Sequence, residues 1–268
     1  MSGQHGYRIE APQHGGPTRT AASRPVAPDE AMSQPNEAVT SAGTDTGSSA
    51  RSTLALSVRD LAAERGGRLV FAGLGFVLES GEALNVVGRN GVGKSTLLRV
   101  LAGLLTPTAG RVSLDPPEAD DRDTPIAERA HYLGHADALK SALTPLDHLG
   151  FAADLLGRGN RGSGRGQRGS AAATPEEALD RVALAHAADL PCGYLSAGQR
   201  RRVALARLLV AARPLWLLDE PATALDLGSQ AVLGDMMRRH LDGGGLIVAA
   251  THGSLGLDRV RELRLERS

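Results

Sequence analysis

The sequence predicts an α/β fold in which a mostly parallel sheet is covered by helices on both faces. Short apolar runs, typical of strands buried on both faces, occur at 82–88, 131–135, 214–220 and 245–252. Segments with helical spacing lie between them, at 94–105 and at about 145–157, 174–188, 196–212 and 228–242. Strands that alternate with helices in this way favour parallel pairing.

Before the first buried run, two segments at 53–61 and 71–81 alternate apolar and polar residues, which predicts half-buried strands. Residues 1–52 show no sustained period and are expected to form a disordered extension. An alternative is that translation starts at Met32. The stretch 157–170 carries four Arg and no acid, and we expect a flexible loop rather than an RNA-binding tract, because it has no aromatic residue.

Composition excludes several classes of function. The 268 residues carry 30 Lys+Arg and 30 Asp+Glu, so a protein that coats nucleic acid is not expected. A single Cys excludes an intramolecular disulfide framework and a multi-cysteine zinc site. No apolar run reaches the roughly 18 residues of a membrane span, and no signal-peptide core begins the chain. We therefore expect a soluble, cytoplasmic chain.

The segment "GRNGVGKST" fits a phosphate-binding loop between a strand and a helix. In such a loop, backbone N–H groups and the helix N-terminus face the phosphates. Lys94 would reach the β- and γ-phosphates of a nucleotide, Ser95 would bind Mg²⁺, and Thr96 would mainly pack and hydrogen-bond. The predicted binding residues are Gly88, Arg89, Asn90, Gly91, Val92, Gly93, Lys94, Ser95 and Thr96.

The segment "PLWLLDEP" predicts two acidic side chains at the carboxyl end of a buried strand. Asp219 would hold Mg²⁺ directly or through water. Glu220 would orient and polarise the water that attacks the γ-phosphate. A strand that merely ends in an acidic turn is the alternative, and the phosphate loop upstream argues against it.

The segment "YLSAGQRRRVALARLLVAA" predicts a helix that Ser196 caps. The Ser196 hydroxyl, the Gly198 backbone and the helix dipole would form a second anion site. One nucleotide cannot easily be held by two phosphate cradles on one chain, so we expect two chains, each Ser196 closing on the partner's nucleotide. The alternative is an ordinary capped amphipathic helix with a basic face at Arg200–Arg202.

Together the phosphate loop, "LSAGQ", "LLDEP", "TALD" and the histidine after "LIVAAT" resemble the ATP-binding subunits of ABC transporters over about 53–268. The resemblance implies a P-loop NTPase fold of the ABC ATPase type, with an antiparallel β subdomain and a small helical subdomain at about 140–212. It also implies ATP and Mg²⁺ as ligands and a homodimer. Asp226 would lie in a turn that crosses the dimer interface, and His252 would contact the γ-phosphate and orient Glu220, which makes Glu220, His252 and Lys94 the catalytic residues.

Two positions depart from the general ABC pattern. His135 stands where a glutamine normally contacts Mg²⁺ and signals to the membrane partner, and Arg65 stands where an aromatic normally stacks on adenine. A neutral imidazole can still accept from a metal-bound water, and a guanidinium plane can stack on a base. Both residues are therefore kept as cofactor-binding candidates.

The "LGH…K…LT" segment and the motifs after it resemble the haem exporter ATPases of bacterial cytochrome c maturation. This implies integral membrane subunits as partners and a peripheral place on the cytoplasmic face of the inner membrane. The cycle would power haem export or release of the haem chaperone, with no nucleic acid and no haem bound by this chain. His131 and His148 are accordingly interpreted as solvent-facing or satisfied histidines, and Cys192 as a packed residue. The alternatives are an ABC ATPase of another transporter, a soluble ATP-dependent switch, or a binding module whose hydrolysis has decayed.

Overall fold

The structure is a computed structural model that describes residues 8–10, 54–115, 124–157, 172–258 and 260–266. Its strands are β1 (Arg8–Glu10), β2 (Ala55–Arg65), β3 (Arg68–Glu79), β4 (Ala83–Val87), β5 (Ala109–Asp115), β6 (Ala130–Leu133), β7 (Leu215–Asp219), β8 (Leu246–Ala250) and β9 (Val260–Arg264). Its helices are α1 (Lys94–Leu101), α2 (Ile126–Arg129), α3 (Pro145–Gly157), α4 (Pro175–Arg181), α5 (Ala197–Ala206) and α6 (Leu227–Asp242).

The larger sheet has the order β1-β9-β4-β8-β7-β6, and all of its neighbours are parallel except β1 and β9. The predicted α/β fold with a mostly parallel sheet is thus confirmed. Every residue of β7 and β8 is buried, as their unbroken apolar sequence requires. The carboxyl ends of β4, β7 and β8 meet at one edge, because these strands lie side by side in parallel.

Three antiparallel strands in the order β3-β2-β5 form a second sheet. β2 and β3 correspond to the two segments in which apolar and polar residues alternate, and each strand continues a few residues further toward the turn between them. They are joined at Gly66 and Gly67, whose φ angles are 58° and 71°. Positive φ at both central residues is what a two-residue type I′ hairpin turn needs. This sheet is the antiparallel β subdomain that the resemblance implied.

Two hydrophobic clusters cover the faces of the larger sheet, and alternate residues of each strand enter different clusters. Trp216 and Leu218 of β7 face a cluster that includes buried residues of α4, α5 and α6. Leu215 and Leu217 face the other cluster, which includes α1 and the antiparallel sheet. This alternation is the period of two that an extended strand imposes. The sheet is therefore held from both sides, and its carboxyl edge is fixed in place.

Several element boundaries differ from the prediction. The helix expected at 174–188 ends at Arg181, since Ala183 adopts a φ of 54° and a short 3₁₀ turn follows at Ala185–Ala187. The helix expected at 196–212 ends at Ala206, after which Leu208 and Leu209 make i→i+3 bonds. β5 and β9 were not predicted, because only Leu114 in the first and Leu263 in the second are buried.

The amino-terminal extension contributes one strand that its own sequence pattern does not predict. β1 pairs with β9 in the register Ile9↔Leu263. That pairing depends on the edge of a strand some 250 residues away, which no local periodicity encodes. The other residues predicted to be a disordered extension, and nearly all of the Gly/Arg loop at 157–170, lie outside the described residues. None of the helices within the described ranges has the length and apolar character needed to cross a bilayer.

Candidate active site

The phosphate loop connects β4 to α1, as predicted, and two of its glycines are required by its shape. Gly88 has a φ of 149° and Gly93 a φ of 120°. A Cβ on Gly88 would lie 2.5 Å from the carbonyl oxygen of Leu265, and one on Gly93 would lie 2.3 Å from Val70 Cγ1. Gly93 is also the N-cap of α1, so no side chain caps the helix. In addition, no acidic residue stands in the first turn of α1. The positive end of α1 is thus available to an anion.

Lys94 is the first residue of α1, and its side chain folds back over the loop. It is only 8% exposed, and its Nζ donates to the carbonyl oxygens of Gly88 at 2.8 Å and Arg89 at 3.4 Å. These bonds hold the ammonium at the centre of the loop. Ser95 beside it is partly exposed, whereas Thr96 is buried, which agrees with a packing role for Thr96.

The acidic pair follows β7. Asp219 ends the strand with 4% exposure. Glu220 has a φ of 48°, a left-handed conformation that costs a residue with a side chain about 1 kcal/mol or more. Its N–H donates to Ala250 O at 2.8 Å, which ties it to the end of β8. This backbone conformation places the Glu220 carboxylate beside the phosphate loop.

His252 joins the loop and the acidic pair. Its Nε2 lies 2.6 Å from Asn90 Oδ1, 3.4 Å from Lys94 Nζ and 3.7 Å from Glu220 Oε1. Because the Asn90 oxygen is an acceptor, Nε2 is the donor of this pair. The three residues predicted to be catalytic, together with Asn90, therefore form one cluster at the carboxyl edge of the sheet.

The segment around Ser196 forms the predicted capped helix. Ser196 Oγ accepts from Gln199 N at 3.2 Å, and Ser196 N donates to Gln199 Oε1 at 2.8 Å, which is a complete capping box. Ser196 is exposed, and a Cβ on Gly198 would lie 3.0 Å from Ala224 O. Within the described part of the chain, no hydrogen bond or ion pair links Ser196 to the cluster around Lys94. The two predicted anion sites thus share no hydrogen bond or ion pair among the described residues.

The basic stretch after Ser196 includes one arginine that the fold buries. Arg201 is 3% exposed, because it lies on the buried stripe of α5 with Ala204 and Leu205, which the buried Leu208 continues just beyond the helix. Its guanidinium donates to three successive backbone carbonyls, those of 219–221, and also contacts residues 134 and 137. Sequence reasoning missed this residue, although its i, i+3, i+4, i+7 spacing with apolar residues was a detectable sign.

The two positions that depart from the general pattern lie at the surface. His135 is exposed in the segment after β6, and Arg65 is exposed beside the β2–β3 hairpin turn. Asp226 is the N-cap of α6, where hydrogen bonds to Ser229 lower the pKa of its carboxyl. None of these three side chains contacts the Lys94 cluster through a hydrogen bond or ion pair among the described residues.

The two histidines that were not assigned as haem ligands, His131 and His148, have hydrogen-bond partners within the protein. His131 is 5% exposed with Nε2 2.8 Å from Ala211 O, and burial lowers its pKa to about 3. His148 Nε2 lies 3.0 Å from Lys140 N. Cys192 is buried, and burial raises the pKa of its thiol. These residues therefore have structural explanations.

Comparison with known proteins agrees with this geometry. Residues 71–223 match the family model described as "ABC transporter". The chain is 53% identical over 210 residues to the "Cytochrome c biogenesis ATP-binding export protein CcmA" of Rhodopseudomonas palustris (strain BisB5), covering 78% of this chain and 97% of the relative. The protein with the same description from Mesorhizobium japonicum is 50% identical with the same coverage.

Solved structures show the same fold. An ABC transporter ATP-binding protein from Pyrococcus furiosus superposes with a TM-score of 0.61 at 24% identity, over 78% of this chain and 96% of that one. The cbiO1 protein of Clostridium perfringens, part of the ABC transporter complex cbiONQ, gives 0.55 at 26% identity, over 74% and 78%. With the cluster of Lys94, Glu220 and His252 in place, this chain belongs to the ABC transporter family of ATP-binding proteins, and its relatives at about 50% identity are the CcmA proteins of cytochrome c biogenesis.

Proposed function

We propose that this chain hydrolyses ATP as the motor subunit of the export system for cytochrome c biogenesis. The observation that carries the proposal is the convergence of Lys94, Glu220, His252 and Asn90 at the carboxyl edge of the sheet. Their elements come from three separate stretches of sequence, so the cluster is built by the fold and not by one local motif. The names of the relatives support a role in cytochrome c biogenesis.

The binding step follows from the phosphate loop. Backbone N–H groups of 88–96 and the uncapped start of α1 would hold the β- and γ-phosphates, and the Lys94 ammonium would turn from its carbonyl partners to them. Arg65 would stack its guanidinium on the adenine base. Nucleotide binding thus uses groups that are already in position.

A magnesium ion fits the oxygen donors beside this loop. The Asp219 carboxylate is buried, and no hydrogen bond or ion pair among the described residues engages it. Together with the Ser95 hydroxyl it offers the hard oxygen ligands that Mg²⁺ prefers. When bound, the ion would neutralise charge on the phosphates. Removing either ligand should weaken this site.

For hydrolysis, Glu220 would orient the attacking water and accept its proton as the bond to the γ-phosphorus forms. His252 lies 3.7 Å from the Glu220 carboxylate and would donate from Nε2 to the γ-phosphate. In the structure that hydrogen goes to Asn90, so ATP would replace Asn90 as its acceptor. The bond to the leaving oxygen then breaks, and ADP and phosphate are released.

The second anion site calls for a second chain. We propose a homodimer in which Ser196 and Gly198 of each copy close on the nucleotide held by the other, with Asp226 in the turn at the interface. This is supported by the absence, among the described residues, of any hydrogen bond or ion pair between the Ser196 cap and the Lys94 cluster. ATP would favour the closed pair and hydrolysis would reopen it, because only differential affinity can shift such an equilibrium.

The motion would act on integral membrane subunits of the cytochrome c maturation complex, with this chain peripheral on the cytoplasmic face of the bacterial inner membrane. His135, exposed after β6, would pass the movement to them. The cycle would power haem export or release of the haem chaperone. The relatives' names and their 97% coverage support this assignment.

Complementation tests the proposed function. In a bacterium whose own relative of this chain has been deleted, the wild-type chain should restore covalent haem on c-type cytochromes, seen by haem-stained gels, and should co-purify with membrane subunits. The Glu220→Gln variant at equal abundance should not restore it. A wild-type chain that hydrolyses ATP and yet restores no cytochrome c would contradict the role in haem delivery.

A further inference from the structure

A buried arginine links the hydrolytic site to the segment that carries His135. We propose that Arg201 is a positioning residue: it fixes the backbone that presents Glu220 and transmits movement of 134–137 to it. The inference rests on the proposed functions of Glu220 and His135, and it assigns a role to a residue that is not among the predicted site residues.

The first half of the link is to the backbone around Glu220. Arg201 Nη2 donates to the carbonyl oxygens of Asp219 at 3.1 Å and Glu220 at 2.7 Å, and its Nε donates to Pro221 O at 3.1 Å. A planar guanidinium offers five donors in a fixed fork, whereas an ammonium offers three, so it can hold these three carbonyls and still donate to other partners. These are the carbonyls of the residue before Glu220, of Glu220 itself and of the residue after it.

Arg201 binds the backbone at a residue whose conformation is strained. Glu220 has a left-handed φ of 48°, and such a conformation persists only when the surroundings over-determine it. On one side, Glu220 N–H donates to Ala250 O, and on the other its carbonyl accepts from Arg201. Without Arg201 the carbonyl side would keep only the 3.2 Å bond from Thr223 N. The direction of the Glu220 side chain therefore depends on Arg201.

The second half of the link is to the segment after β6. Arg201 Nη1 donates to Gly134 O at 2.9 Å and forms an ion pair with Asp137 Oδ1 at 3.2 Å. These two residues flank His135. Because one rigid guanidinium holds both segments, a displacement of 134–137 moves donors that also hold Glu220. The arginine is 3% exposed, so water cannot replace either set of partners cheaply.

The chain contains a matched control in the neighbouring residue. Arg202 also donates from its guanidinium to two backbone carbonyls, those of Val182 and Ala183 at the end of α4. It has the same side chain on the same helix, but its hydrogen-bond partners lie outside the Lys94 cluster. Loss of Arg202 should therefore report the stability cost of removing a carbonyl-binding arginine from α5.

The test compares Arg201→Met, Arg201→Lys and Arg202→Met in ATP binding, steady-state hydrolysis and thermal unfolding. We expect Arg201→Met to lower kcat by about 10- to 100-fold with ATP affinity changed less than about threefold, as for the loss of a residue that orients a catalytic group. Arg201→Lys keeps the charge beside Asp137 and should recover part of kcat. Arg202→Met should lower the unfolding midpoint while kcat stays within about twofold of wild type.

A double-mutant cycle with Asp137→Asn strengthens the test. The losses in kcat from Arg201→Met and Asp137→Asn should not add, because both remove the ion pair between residues 201 and 137. The proposal is overturned if Arg201→Met loses no more kcat than Arg202→Met does. Arg201→Lys takes the place of Arg201→Met in this comparison if the Met variant does not fold. The proposal is also overturned if ATP affinity falls in proportion to kcat. Normal turnover by Glu220→Gln would instead overturn the role of Glu220. Normal turnover by the Arg201 variants beside an inactive Glu220→Gln would overturn the Arg201 proposal alone.

Discussion

Two matched helix caps allow the role of Ser196 at the dimer interface to be separated from its role in stability. Ser196 and Thr174 are both exposed N-caps with complete capping boxes, and in both the backbone N–H to hydroxyl distance is 3.2 Å. Removing either hydroxyl should cost about 1 kcal/mol of the free energy of unfolding. For a domain of this size the unfolding midpoint should fall by roughly 2–4 °C in Ser196→Ala and in Thr174→Ala alike.

The two variants should differ in ATP turnover. In the cap the Ser196 oxygen accepts a hydrogen bond, so its own hydroxyl hydrogen is free to donate to a phosphate on the partner chain. A hydrogen bond to a charged group contributes about 1.5–3 kcal/mol, which corresponds to roughly 10- to 150-fold in the ATP-dependent association or turnover that it supports. Thr174 faces no proposed nucleotide, so Thr174→Ala should keep wild-type turnover.

The assay is steady-state phosphate release over a range of protein concentrations, with differential scanning fluorimetry on the same samples. Comparable midpoints with turnover reduced only in Ser196→Ala would support the second anion site. Equal turnover in the two variants at every protein concentration would show that Ser196 does not form a second anion site.

Three further predictions concern the loop, the surface and acid stability. Lys94→Ala should abolish productive ATP binding or hydrolysis, and unchanged phosphate release would show that the phosphate loop is wrongly assigned. His135→Gln should leave basal ATPase activity largely intact and change its coupling to cytochrome maturation, so complete loss of basal activity would show a catalytic role. Burial lowers the pKa of His131 to about 3 and that of His240 to about 4, below the ordinary 6.5. As the pH falls, these histidines therefore bind protons in the unfolded chain before they do so in the folded chain. The free energy of unfolding should consequently fall as the pH drops from about 6.5 towards 4. His240→Phe keeps an aromatic ring on Trp216 and should flatten that dependence in urea titrations at several pH values; an unchanged slope would contradict it.

Much of the site was predictable because its determinants are local. A glycine-rich turn after a buried strand defines the phosphate loop, and the unbroken apolar runs place Asp219 and His252 at strand ends. Parallel pairing then brings those ends together, as the structure shows for β4, β7 and β8.

The remainder depends on contacts between distant segments. Arg201 was taken as part of a possible basic face, since its carbonyl partners lie 18–20 and 67 residues away. The bond from His252 to Asn90 spans 162 residues and was equally invisible to pattern analysis. β1 and β9 belong to the same class: three residues are too few for a periodic pattern in β1, and only Leu263 is buried in β9.

The central claim is that ATP joins two copies of this chain and that Glu220 is needed to separate them by hydrolysis. Size-exclusion chromatography with light scattering on Glu220→Gln, with and without Mg-ATP, tests it most directly. We expect a monomer without nucleotide and a stable, ATP-loaded dimer with it, while the wild-type chain returns to monomer as ATP is consumed. A variant that binds ATP and remains a monomer at every concentration would show that ATP does not join two copies.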